Sequence, residues 1–148
     1  MKIRHAEPSD YGRVIGVVNT WWSGRQMAPM LPKLFFLHFE STSFVAEDEE
    51  GGLAGFLVGF LSQTHADEAY VHFVGVDPRR RGSGLGRELY EHFFDAVRRE
   101  GRTVVRCVTS PVNADSVAFH ESIGFRVDRV DENYDGSGEA RVLLVREV

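Results

Sequence analysis

Val76-Asp77-Pro78-Arg79-Arg80-Arg81-Gly82-Ser83-Gly84-Leu85-Gly86-Arg87 is the stretch that decides the fold. It joins a β-rich run, Glu68 to Val76, to a segment in which Leu85, Leu89, Phe93 and Val97 recur every four residues, so it reads as strand, glycine turn and helix. Asp77-Pro78 ends the strand, because proline has no amide N–H for a ladder. Gly101 stands where a helix C-cap belongs. Glycines at 82, 84 and 86 leave the backbone N–H groups of the turn unobstructed, and the helix end adds unpaired donors and partial positive charge. With Arg79, Arg80, Arg81 and Arg87 beside it, the loop suits an anion the size of a pyrophosphate.

Working outward, Lys2 to Glu7 alternates as a short strand, and Ser9 and Asp10 are placed to cap one helix with Val14, Val17, Val18 and Trp21 on its apolar face. Ser23-Gly24 breaks that helix, and a second, aromatic-rich one follows Pro32. Ser43 to Glu47 and Leu53 to Leu61 form a hairpin across Glu49-Glu50-Gly51-Gly52. Thr103 to Thr109 is a strand, Asn113 caps a short helix that Gly124 stops, and Phe125 to Val130 with Ala140 to Val148 make a closing hairpin. The order βααβββαβαββ predicts an α/β chain built on a mixed sheet with helices on both faces.

Other phosphate loops fit poorly. No Gly-Lys-Ser/Thr follows a four-residue spacer as a Walker A loop requires, and the glycine spacing is wrong for the dinucleotide fingerprint G-x-G-x-x-G. Asp131-x-Asn133-x-Asp135-Gly136 imitates the start of an EF-hand, but Val142 occupies the position of the bidentate glutamate, so no metal is expected. Zinc-protease and serine-hydrolase signatures are absent from the sequence.

Arg81-x-x-Gly84-x-Gly86, after a strand ending Val76-Asp77-Pro78, resembles the central motif of the GNAT acetyltransferase family. Asn113, Ser116, Phe119, Gly124 and Phe125 match a second family segment at the expected distance downstream. The resemblance covers the whole order of elements. It implies the GNAT acyl-CoA N-acyltransferase fold, about seven strands flanked by about four helices, and acetyl-CoA as co-substrate with no metal. Carried over, the amides of Arg81, Gly82, Ser83, Gly84, Leu85, Gly86 and Arg87 hold the pyrophosphate. Val74, Gly75 and Val76 pair with pantetheine, and Asn113, Ser116 and Phe119 complete the coenzyme site. His120 stands where the family usually has a tyrosine that protonates the departing thiolate.

An amine must lose a proton to attack a thioester, and a lysine-like amine has a pKa near 10.4, so a base nearby helps at neutral pH. On strict alternation Glu68, Tyr70, His72, Val74 and Val76 share one face of their strand. His72 is the first candidate for the base and Glu68 the second, with Tyr70 orienting substrate or water. Direct attack needs no covalent intermediate, and Cys107, in an apolar β-run, reads as a buried thiol. Trp22 and Arg25 lie in the segment that the resemblance assigns to the acceptor pocket, Arg25 being suited to a carboxylate.

The whole chain sets limits on these readings. Its 148 residues are expected to form one domain, 1–148, with 43% hydrophobic residues to build its core. A net charge of −5 argues against a nucleic-acid partner despite the local arginines. The longest mostly apolar stretch, Gly52 to Leu61, falls short of the roughly 20 residues of a membrane span, and a lone cysteine fits a reducing, cytoplasmic setting. The expected function is acetyl transfer to a primary amine of a small molecule or peptide. Its alternative is a catalytically degenerate domain that binds coenzyme A as a sensor or interaction module. A homodimer is an expectation from the resemblance alone.

Overall fold

The computed structural model describes residues 1–148. Seven strands form one sheet: β1 (Lys2–His5), β2 (Phe44–Glu47), β3 (Leu53–Leu61), β4 (Glu68–Val76), β5 (Val104–Thr109), β6 (Arg126–Asp131) and β7 (Arg141–Glu147), in the order β1-β2-β3-β4-β5-β7-β6. All neighbours are antiparallel except β4 and β5, which run parallel and make the sheet mixed. A parallel pair needs a crossover, and α4 (Leu85–Arg99) supplies it.

Five α-helices cover both faces. α1 (Asp10–Ile15), α2 (Val18–Trp21) and α3 (Leu34–His38) bury Val14, Val18, Trp21, Phe35 and Phe36 against Phe56 and Val58. On the other face α4 lays Leu85, Leu89, Phe93 and Val97 over Leu57, Val71 and Val105, and α5 (Ala114–Ser122) adds Val117 and Phe119. β3 is covered on both sides, which is why its sequence is an almost unbroken apolar run.

Two expectations at the N-terminal end are corrected. The single first helix is two, because the chain departs from helical geometry at Val17, φ −117°. Gly12 and Gly16 and the β-branched residues between them give that segment little intrinsic helix preference to resist the break. Ser9 makes no side-chain cap; Asp10 instead accepts the Glu7 N–H at 2.8 Å and both terminal nitrogens of Arg4 at 2.9 Å. The Asn113 cap and the left-handed Gly101, φ +76°, stand as expected.

Candidate active site

Two departures from regular sheet geometry make the site. β4 and β5 pair only over Glu68–Tyr70 and Val104–Arg106, although β4 continues to Val76 and β5 to Thr109. Beyond Tyr70 the two strands part like a wedge, and the edge of β4 facing β5 is left without a strand partner. The second departure is a bulge: Val58 pairs with Phe73 and Gly59 with Val71, so His72 has no partner on β3.

The bulge overturns the single-face reading of β4. Ala69 and Val71 point into the core under α4, but so do Val74 and Val76, because the extra residue shifts the alternation by one. His72 and Phe73 come to lie side by side on the opposite face, ring centroids 4.9 Å apart, and Phe73 packs with the α1–α3 core. Tyr70 is on that face too, stacked on Phe60.

A cavity of about 990 Å³ runs along the wedge. At one end lies the Arg81–Arg87 loop. Gly82 and Gly84 are left-handed, φ +81° and +88°, and a side chain there would meet nothing within 4 Å, so the turn is open toward the cavity. The first hydrogen bond of α4 runs from the Glu88 N–H to the Gly84 carbonyl at 3.0 Å. The N–H groups of Leu85, Gly86 and Arg87 therefore have no acceptor inside the helix, as suits an anion-binding turn. Gly86 has a second duty: the Phe119 ring sits where a Cβ would be, at 2.9 Å, which lets α5 close on α4. Arg81 donates to the Trp21 carbonyl at 2.7 Å and ties the loop to α2. Arg79 turns away to Asp77, and the Ser83 hydroxyl donates to the Arg80 carbonyl. These features fit a pyrophosphate.

The middle of the cavity is lined by Val74, Gly75, Val76, Asn113, Ser116, Phe119 and His120. Asn113 spends its side-chain oxygen on the Ser116 N–H at 3.2 Å, keeping its amide nitrogen free. His120 is buried and both ring nitrogens are engaged. Nδ1–H donates to the Ser116 carbonyl at 2.7 Å, so Nε2 accepts from the Tyr90 hydroxyl at 2.6 Å. Burial holds the imidazole below its ordinary pKa although the Ser116 carbonyl pulls the other way. In this arrangement Ser116 and Tyr90 engage both ring nitrogens, and no ring N–H points free into the cavity. Cys107 lies beside Tyr90, its thiol pushed up to about 12 by burial, against the opposing pull of the Tyr90 hydroxyl. Tyr90→Phe should strand a buried acceptor and cost about 1–3 kcal/mol of unfolding free energy in urea titrations; an unchanged midpoint would show that the pair carries no stability.

At the far end His72 lies flat on Phe35, centroids 4.4 Å apart, and Nε2–H donates to the Met30 carbonyl at 2.6 Å. A carbonyl only accepts, so the proton is on Nε2 and Nδ1 carries the lone pair. Burial lowers the His72 pKa, with the Met30 hydrogen bond opposing, and the ring is neutral at pH 7. Trp22 and Arg25 line the same end with Tyr70.

Glu68 does not join them. It forms an ion pair with Arg106 Nε at 3.0 Å and lines a separate, smaller recess with Phe60 and His65, because it precedes the point where β4 and β5 part. Ser83 also lies outside the cavity, as does Arg79 on Asp77. Tyr134 and Asp135 from the β6–β7 connection and Arg141 at the start of β7 form the other wall, a role the sequence did not suggest for any of them. A tyrosine in an otherwise polar, glycine-containing turn was the available signal. The EF-hand-like residues are occupied: Asp131 accepts the Asn133 N–H and Asp135 pairs with Arg141 at 2.6 Å.

Residues 9–125 match the acetyltransferase (GNAT) family. The ribosomal protein bS18-alanine N-acetyltransferase of Escherichia coli strain K12 is 30% identical over 114 residues, covering 74% of this chain and 71% of its own. A GNAT-family structure from Desulfovibrio desulfuricans superposes with a TM-score of 0.84 at 22% identity, over 99% of this chain and 98% of that one. yncA of Salmonella typhimurium, solved with its cofactor acetyl-CoA, superposes with a TM-score of 0.74 at 22% identity, over 99% and 93%.

Proposed function

The chain belongs to the GNAT acetyltransferase family and is an N-acetyltransferase; from that premise we propose that it transfers acetyl from acetyl-CoA to a primary amine by direct attack, with His72 as the base. The observation that carries the proposal is the cavity itself, which joins the amide-lined glycine loop to the neutral, oriented imidazole of His72 along one continuous wedge. The sensor alternative finds no support in relatives named as N-acetyltransferases.

Acetyl-CoA supplies the activated acyl group. The free N–H groups of Leu85, Gly86 and Arg87 receive its diphosphate, helped by the α4 N-terminus and by Arg81 and Arg87. The unpaired edge of β4 along Val74, Gly75 and Val76 offers peptide groups to the pantetheine amides, and Asn113 offers its side-chain nitrogen. A β4 amide near Val74, on the edge that β5 leaves unpaired, is assigned to the oxygen of the thioester carbonyl as negative charge develops there.

The amine is assigned to the end of the cavity lined by Trp22, Tyr70 and His72, where it passes its proton to Nδ1 of His72, directly or through water, with Tyr70 orienting it. As the new C–N bond forms, the C–S bond breaks and the electron pair leaves on sulfur. Glu68, committed to Arg106 and outside the cavity, is given no part in proton transfer. His120 is assigned to holding Tyr90 and α5 in place.

Calorimetric titration with acetyl-CoA, followed by a thiol-release assay over a panel of amines, tests the reading. Binding with amine-dependent release of free coenzyme is the expected result. Folded protein that gives no heat with acetyl-CoA would end the proposal.

A further inference from the structure

We infer that the acceptor is a small amine bearing a carboxylate and an apolar body, an amino acid with an apolar side chain, and that Arg25 holds its carboxylate. This rests on the acetyl-transfer reading and narrows it.

The charges around the acceptor end are unequal. The only acids lining the whole cavity are Asp115 and Asp135. Asp115 lies in the first turn of α5, beside the coenzyme's path, and Asp135 is bound to Arg141. Asp115 has no ion-pair partner but stands on α5 rather than at the acceptor end, so that end offers no free carboxylate to a second ammonium group, and a polyamine or an aminoglycoside would leave its extra charges unpaired there. Arg25, in contrast, is exposed at the mouth, and its guanidinium has no carboxylate or carbonyl partner in the protein.

The segment that carries Arg25 is built rather than loose. The Asn19 side-chain oxygen accepts the N–H groups of both Met27 and Ala28, at 2.8 and 2.9 Å, and the Gly24 N–H returns to the Asn19 carbonyl at 2.8 Å. These bonds bracket Arg25. Just before it, Ser23 is the one non-glycine residue in the left-handed region, φ +58°, and such strain persists only where surrounding contacts impose it. The cation is thus delivered by a fixed turn. Beside it the surface is apolar: Trp22 stacks on Phe73 at 5.3 Å, and Met27 and Met30 line the same end. An ammonium deprotonated at His72, a carboxylate on Arg25 and a hydrocarbon body against Trp22 use each of these features once.

The experiment compares initial rates with acetyl-CoA for leucine, methionine and phenylalanine, their methyl esters, a leucine-initiated peptide amide, spermidine and kanamycin, in wild type, Arg25→Gln and Arg25→Glu. The free amino acids should exceed their esters by about tenfold to a hundredfold in kcat/KM, the worth of one charge-assisted hydrogen bond. Arg25→Gln should collapse that ratio toward one by raising KM for the acids, and Arg25→Glu should invert it. Esters, the peptide amide or the polycations used as well as the acids, or a ratio indifferent to Arg25, would overturn the inference while leaving acetyl transfer standing. Failure of every amine, with acetyl-CoA still bound in calorimetry, would overturn the acetyl-transfer reading and this inference with it.

Discussion

Gly84→Val should weaken acetyl-CoA binding by about tenfold to a hundredfold, read as Kd in calorimetry. Gly84 sits at φ +88° immediately before α4, where a Cβ has open space but the backbone does not tolerate one. A left-handed L-residue costs roughly 1–2 kcal/mol, and more when β-branched. Each ~1.4 kcal/mol is a factor of ten in affinity. Relaxing to negative φ relieves that strain, and the amides that follow then swing off the phosphate direction. Phosphate contact, not bulk, is therefore the quantity altered. α4 should survive, because its buried face from Leu89 to Val97 lies beyond the turn, and circular dichroism will show whether it does. Unchanged affinity in a folded Gly84→Val protein would remove the loop from the binding site.

His72→Gln is the second large effect. Glutamine can still donate to the Met30 carbonyl, but it cannot take up a proton. If His72 is the base, kcat falls by about 10²- to 10⁴-fold, the usual weight of a positioned base, with little change in acetyl-CoA affinity. The pH profile separates this from a packing role. Burial sets the His72 pKa below its ordinary value, so the basic form prevails at neutral pH and is lost on acidification below about pH 6.5. Wild-type kcat should therefore drop on the acid side, and that limb should vanish in His72→Gln. Rescue of activity by glutamine, or an acid limb that persists in the variant, would show that the imidazole merely packs against Phe35. Glu68→Gln should leave that limb where it is, since its carboxylate is held by Arg106 outside the cavity.

Much of the site was legible because it is written in contiguous residues. A strand, three glycines and a four-residue apolar period depend on backbone preferences within about twenty positions, and the structure places β4, the open turn and α4 there. Asn113 capping α5 is equally local. The alternation of β4 misled because a bulge is a property of two strands, not one. Nothing within Glu68 to Val76 announces that His72 will be skipped by β3, and the skip puts His72 beside Phe73 and turns Val74 and Val76 toward α4.

The order of the strands, the mixed sheet with helices on both faces and the open glycine turn before α4 were thus determined by the sequence alone, through periodicity and proline and glycine chemistry. Only the tertiary structure decided which titratable groups meet. His72 is held by Met30, 42 positions away, His120 by Tyr90, 30 away, and Arg81 by Trp21, 60 away, while Glu68 is claimed by Arg106. The physical reason is that a side chain's protonation and direction are set by its neighbours in space, and strand parting, a bulge and a folded-over β6–β7 connection choose those neighbours.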